Sequence, residues 1–332
     1  MRRALPALLL VALLVPAAAL AWLWSALRPV AGHGAPDVVF VVEPGTTLRG
    51  LGRRLAAAGL VRDARAFEWL GRHRQAASRL RAGEYALSPA LPAPAILERI
   101  VAGAVRTHEV VLPEGLTASE VAGRLEAAGL ADASRVLSVV RDPDAPARLG
   151  VEGPGLEGYL FPETYQLARG LPAAEVVAAL VAEFLRVWEP LAPLAAERGL
   201  SMRETVTLAS IVEKETGAPD ERPRIASVFW NRLARGMRLE TDPTVIYGIV
   251  GFDGNLTRAH LEDATNPYNT YQIPGLPPGP IANPGRAALR AVVSPEQTEY
   301  LYFVSRNDGS HVFSRTYREH VNAVNRYQRG IR

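Results

Sequence analysis

Cysteine is absent from the 332 residues. Disulfide frameworks, thiolate nucleophiles and cysteine-ligated zinc are therefore excluded, while the compartment stays open, because many exported chains carry no cysteine. Lysine is almost absent too: Lys214 is the only one among 37 basic residues. A surplus of one charge sign is also lacking. The formal net charge is +3, and Arg2, Arg3 and Arg28, which flank one apolar run, account for it, since the remaining 34 basic residues face 34 acidic ones. A polyphosphate partner requires a basic stripe, so nucleic acid is not expected as a ligand. The six histidines are scattered without metal-ligand spacing, and no G-x-S-x-G, H-E-x-x-H or Walker glycine loop occurs. No metal and no cofactor are expected, and elimination leaves carboxylate chemistry. What the chain does have is 48% hydrophobic and 21% charged residues, the balance of an ordinary folding protein of two domains.

The 24 residues from Ala4 to Leu27 carry no charge and end near Trp22 and Trp24. About 20 apolar residues span a bilayer, and tryptophans sit at its interfaces. Residues 1–27 are therefore expected to be a cytoplasmic tip and a transmembrane anchor. Two arginines before the run against one after it put the N-terminus inside and the bulk of the chain beyond the cytoplasmic membrane. A cleaved signal peptide is the alternative, since Ala17, Ala18, Ala19 and Ala21 offer small-residue cleavage sites.

Residues 28–37 read as a linker. A strand at 38–42, a Pro44-Gly45 turn and a short helix ended by Gly59 follow, and the pattern returns 70 residues later. Val41, Gly45, Thr47, Arg54, Leu55, Ala58, Gly59 and Leu60 match Val111, Gly115, Thr117, Arg124, Leu125, Ala128, Gly129 and Leu130. Two copies are too few for a solenoid, so residues 38–150 are expected to form a duplicated small α+β module. A strand near Leu80–Leu87 and a helix at about 94–103 lie between the copies. The stretch 142–155 holds three prolines and three glycines and marks a second boundary, which leaves 151–332 as the domain that carries the chemistry.

Within it, Ser201 and Glu204 form an S-x-x-E capping box that starts a helix, and Gly217 and Pro219 end it. At about 100° per residue, Glu213 shares a face with Val206, Ala209, Ser210, Thr216 and Gly217, while Leu208 and Ile211 point the other way. Glu213 is thus expected above small side chains with room for a ring-shaped ligand, and Glu215, about 160° round the helix, cannot share that site. A carboxyl in such a cleft keeps its proton, because burial disfavours the charged form, and this suits a general acid. The alternative is that Glu213 pairs with an arginine or caps a neighbouring turn. A second helix is expected with Asp220 as N-cap and Gly236 as stop. Thr241 or Asp242, before Pro243, reads as a helix cap. The loop from Asn266 to Gly285 ends in twelve residues of which eight are proline or glycine. Its tyrosines beside Asn, Thr and Gln suit sugar recognition, or else one tyrosine packs a stiff surface loop onto the core.

These blocks together resemble the YceG-like endolytic murein transglycosylase family. The resemblance is carried by Ala209–Thr216, Ala226–Leu233, Gly236–Gly248, Tyr268–Tyr271, Gly275–Gly279, Ile281–Gly285, Leu156–Tyr165 and Tyr300–Val304, and covers about residues 38–332. It implies an α+β fold with a transmembrane helix, a LysM-like module and an α+β catalytic domain. Its substrate is the peptidoglycan glycan strand, and peptidoglycan synthases are implied as neighbours. The one essential glutamate falls on Glu213. It would protonate the bond between N-acetylmuramic acid and N-acetylglucosamine, then take a proton from the muramoyl C6 hydroxyl to leave a 1,6-anhydro end. Asn231, Arg232, Asp242, Tyr247, Tyr268, Asn269, Tyr271 and Gln272 are expected to line the cleft. A two-carboxylate muramidase and a non-catalytic wall-binding scaffold are the alternatives.

Overall fold

The computed structural model describes the backbone of residues 4–330 and the side chains of 13–330. The expected anchor at 1–27 therefore falls partly outside the described residues. Ala4–Ala26 form one helix. Among the described residues, no helix is long and apolar enough to cross a membrane. The chain is a mixed α+β protein that divides into two compact units, residues 1–108 with 168–170, and residues 109–167 with 171–332.

In the first unit, β1 (Val38–Val42) pairs antiparallel with β2 (Gly83–Leu87), in a register running from Val38 opposite Leu87 to Val42 opposite Gly83. The alternation of a strand places Phe40 and Val42 inward, and Val39 and Val41 are exposed. Helices Leu48–Ala57, Ala64–His73 and Ala93–Ala102 close over the inward face, with Leu51, Leu55, Phe67, Tyr85, Ile96 and Ile100 as the core. Tyr85 is fully buried, and its hydroxyl is satisfied by the Arg81 and Ile100 carbonyls.

The second unit begins with the second copy of the repeat. β3 (Thr107–Val111) forms a two-stranded sheet with β4 (Thr164–Ala168), and Thr117 caps the helix Ala118–Ala127 through a capping box with Glu120. Thr47 caps its counterpart helix in the first copy by accepting from the Gly50 amide. The two copies are thus alike locally but feed different cores. Val110, Leu112, Val121 and Leu125 pack into the same cluster as the C-terminal helices. The division by packing falls at 108/109, whereas the proline- and glycine-rich stretch at 142–155 holds a short helix, Ala145–Leu149, inside the second unit.

At the centre of this unit is the helix Met202–Glu215, opened by Ser201 with the expected capping box. It packs against the helices Arg222–Ala234 and Arg286–Val293. Every residue from Thr205 to Glu213 is buried, so the expected split into a core face and an open small-residue face does not hold. A helix buried all round belongs to the middle of a core, and the sequence signal was weak because Thr205, Thr207 and Ser210 break its apolar run. Asp220 lies in a 3-10 turn, Pro219–Glu221, and the following helix takes Glu221 as its N-cap without a side-chain bond. The motif at 156–165 is held against the proline-rich loop at Gly158. There φ is +89°, and a Cβ would stand 2.6 Å from Pro280 and 2.8 Å from Val206. Near the C-terminus, β5 (Tyr302–Ser305) and β6 (His311–Ser314) pair antiparallel, and the helix Tyr317–Tyr327 packs on them.

Candidate active site

Glu213 stands on the last turn of the central helix, and both of its carboxylate oxygens are engaged. Oε1 accepts from Arg222 Nη2 at 2.8 Å, and Oε2 accepts from the Gly285 amide at 3.0 Å. Arg222 opens the next helix, and Gly285 is the N-cap of Arg286–Val293. The two alternatives the sequence left open, an arginine partner and a cap on a neighbouring turn, are therefore both present. The space expected above Glu213 is filled by this arginine, and the glutamate side chain is only 6% exposed.

Arg222 holds a second carboxylate. Its Nη2 donates to Glu114 Oε2 at 3.2 Å. One guanidinium nitrogen bridging both groups limits the separation of the two bonded oxygens to about 6 Å. Glu114 comes from the Pro113-Glu114-Gly115 turn after β3, and its carboxylate lies over Gly285. A Cβ built at Gly285 would be 1.8 Å from Glu114 Oε1, so only glycine leaves this place for the carboxylate. Of the three side chains Glu114 is the open one, at 44% exposure against 13% for Arg222. Burial and the neighbouring Glu213 charge push the Glu114 carboxyl above its ordinary range, against the pull of Arg222. Arg222 Nε is buried and has no hydrogen-bond partner among the described residues.

The eight residues expected to line the cleft do not gather round Glu213. Arg232, Asp242 and Tyr271 line a polar cavity of about 320 Å³ with Glu215, which leaves the central helix on a different side. Arg232 is built into the framework there: Nε donates to the Leu301 carbonyl at 2.7 Å, and Nη1 to the Arg238 and Leu239 carbonyls at 2.9 Å each. Tyr271 donates its hydroxyl to Asp242 at 2.7 Å. Burial raises the Glu215 carboxyl above its usual range, although the Thr241 hydroxyl donates to it. Tyr247 and Tyr268 meet edge to face, 4.8 Å between ring centroids, on a separate cavity of about 680 Å³. Asn231 borders a third, of about 580 Å³, but its amide is bonded to the Thr298 and Tyr300 carbonyls at 2.9 Å. Asn269 donates to the carbonyls of His260, Leu261 and Asp263, and Gln272 to that of Leu261. Both amides pin the loop through its own carbonyls, and Asn269 is fully buried in doing so.

Sequence reasoning missed Glu114, Arg222 and Gly285 as partners of Glu213. The 70-residue repeat did single out Gly115, one residue from Glu114. Glu157, inside the 156–165 motif, was missed as well. Glu157 lies on the 680 Å³ cavity, accepts the Ala118 amide at 2.9 Å, and receives the Tyr247 hydroxyl at 3.2 Å. Burial, only partly offset by these bonds, pushes its carboxyl up to about 7. A carboxyl whose pKa is raised on folding contributes stability that is present below its unfolded value of 4.5 and lost as pH rises through about 7. Replacing Glu157 by Gln keeps an acceptor for the Ala118 amide but removes that titration. Denaturant unfolding measured from pH 4 to 9 should show the two proteins diverging in the Gln variant's favour by up to about 3 kcal/mol above pH 7. Parallel curves across that range contradict the assignment.

The YceG-like family model matches residues 40–326. The chain is similar to the endolytic murein transglycosylase of Bacillus subtilis (strain 168), with 29% identity across 91% of this chain and 88% of that protein. Similarity to the endolytic murein transglycosylase of Streptococcus pneumoniae (serotype 2, strain D39) is 26% over 90% of this chain and 61% of that longer protein. The crystal structure of a yceG-like protein from Listeria monocytogenes superposes with a TM-score of 0.60 at 30% identity, covering 87% of this chain and 99% of that one. The chain belongs to the YceG-like family.

Proposed function

We propose that this protein is an endolytic murein transglycosylase that cuts peptidoglycan glycan strands, with Glu213 as its acid and base. The observation that carries the reading is the likeness, over nine-tenths of the chain, to curated proteins of that name. The chemistry follows from a lone carboxyl acting twice. Protonated Glu213 gives its proton to the glycosidic oxygen, the C1–O bond breaks, and the electron pair leaves with the N-acetylglucosamine oxygen. The muramoyl C6 hydroxyl then attacks C1 and returns a proton to the carboxylate, which closes the 1,6-anhydro ring and restores the starting state. Because the nucleophile is internal, no second carboxylate has to activate water. The 320 Å³ cavity beside Glu215 on the same helix, with Tyr271 and Asp242 in its wall, offers the polar and aromatic surface that a sugar chain requires. Attachment to the membrane by residues 4–27 belongs to this reading. It rests on the uncharged run and on Trp22 and Trp24, whose rings are exposed near its end. On the same reading the repeat region is a LysM-like module, the body of the chain works outside the cytoplasmic membrane, and synthases that extend the strand are its neighbours.

One observation favours a second reading. Glu114 stands close enough to Glu213 for a two-carboxylate hydrolysis, which uses carboxyl groups ~5–5.5 Å apart when retaining. The products separate the two. Purified protein acting on isolated glycan strands should leave muramoyl ends one water lighter than reducing ends in mass spectrometry. A product set with reducing ends alone would transfer the protein to the muramidases, and intact strands would leave a wall-binding scaffold.

A further inference from the structure

We infer that Glu114 holds the proton that Glu213 uses, the two carboxylates being drawn together by the Arg222 guanidinium, which keeps its own protons. The inference rests on the transglycosylase reading and deepens it. Both oxygens of Glu213 accept hydrogen bonds, one from a guanidinium and the other from a helix N-terminal amide, so neither presents an O–H in this arrangement. A general acid has to start its cycle protonated, so the proton must be stored beside it. Around this point the titratable and charged groups are few. Glu213 and Lys214 come from the central helix, Arg222 from the next, and Glu114 from the turn after β3. The Lys214 ammonium is turned to the Gly115 carbonyl at 3.3 Å. Arg222 therefore balances one negative charge, and two carboxylates share it. With a single proton between them, the trio is neutral. Without that proton, it carries an uncompensated charge against a mostly buried arginine.

Geometry assigns the proton to Glu114. Glu213 has two donors on its carboxylate, whereas among the described residues Arg222 is the one side-chain donor placed on Glu114. Burial and the Glu213 charge act on Glu114 in the same direction. Glu114 is also the partly exposed member, so a proton reaches it from water. In the step itself, the O–H bond of Glu114 breaks and an O–H bond forms on Glu213. Glu114 takes the negative charge, and Arg222 shifts from pairing with Glu213 to pairing with Glu114. Nothing is oxidised or reduced, and no further reactant is needed. The bare Gly285 is what allows the two carboxylates to lie this close, since any side chain there meets Glu114. Glu114 touches no reacting atom and is a positioning residue that acts through Glu213.

The test compares wild type, Glu114→Gln and Glu114→Asp over pH 5 to 9 on defined glycan strands, with kcat and KM measured separately and unfolding temperatures alongside. Gln cannot carry the proton. The expected result is a fall in kcat of about tenfold or more at pH 7 with KM nearly unchanged, and the alkaline limb of the profile moved to lower pH by about one unit, on the scale that neighbouring charges impose. Asp should recover part of the rate and the original limb. A Glu114→Gln profile reduced by the same factor at every pH, or an unshifted one, overturns the inference, as does a loss carried by KM alone. If Glu213→Gln cleaves normally, the transglycosylase mechanism through Glu213 has failed. A silent Glu213→Gln with an unshifted Glu114→Gln profile defeats only the proton-holding role.

Discussion

Glu213→Gln is expected to lower the rate of strand cleavage by about 1,000-fold or more while the protein stays folded and still binds glycan. General acid–base groups contribute roughly 10²–10⁴ each, and here one carboxyl serves both steps. The amide is isosteric. Its single carbonyl oxygen keeps one of the two bonds, from Arg222 or from the Gly285 amide, and the loss of the other costs about 1–3 kcal/mol, which leaves the packed junction between the three helices folded. Arg222 also keeps Glu114 as a counter-ion, which prevents a buried uncompensated charge of the kind that unfolds proteins. Rate and fold are therefore separable at this position. Circular dichroism, unfolding temperature and a pull-down with insoluble peptidoglycan, set beside the turnover measurement, check both halves. Cleavage retained within about tenfold of wild type would remove Glu213 from the chemistry.

The largest effect on stability is expected at Arg232. The side chain is 7% exposed and donates to three backbone carbonyls, at Leu301, Arg238 and Leu239, besides the Glu240 carboxylate at 3.0 Å. It ties the helix Arg222–Ala234 to the start of β5 and to the Met237–Thr241 connection. Glu240 sits there at a φ of +53°, a left-handed backbone that a non-glycine residue keeps only where its surroundings hold it. Arg232→Met matches much of the volume but strands buried acceptors, at about 1–3 kcal/mol for each one left without a partner. A total of about 3–5 kcal/mol is expected, which lowers the unfolding temperature by on the order of 10 °C. Below the unfolding range, KM for glycan should change little. The opposite pattern, an unaltered unfolding temperature with a raised KM, would make Arg232 a substrate contact.

The contrast between these residues shows which parts of the site the sequence carried. Capping chemistry is local, so Ser201 with Glu204 and Thr117 with Glu120 were readable, and both caps are in place. Period-2 and period-3.6 patterns located β1, β2 and the helix Ala93–Ala102 for the same reason. Which face of the central helix is open was not readable, because residues 205–213 pack on all sides and the neighbours come from 222–234 and 286–293. The site around Glu213 is assembled from positions 114, 213, 222 and 285, brought together only by tertiary packing. No spacing rule links them. Asn269 and Gln272 misled for a related reason: an amide among tyrosines has the same composition whether it binds a sugar or a loop's own carbonyls. Tyr247 and Tyr268 were read with Tyr271 as one surface, yet the fold turns them to a different cavity, beside Glu157. Neighbouring motif residues in sequence need not share a wall in space.

The internal nucleophile is the heart of the mechanism, and isotope labelling of the solvent probes it directly. Purified protein should be allowed to cut glycan strands in water enriched in oxygen-18, and the new muramoyl ends weighed. Ring closure by the strand's own C6 hydroxyl predicts ends that carry no label. Oxygen-18 built into those ends would mean that water, activated by a second carboxylate, makes the cut.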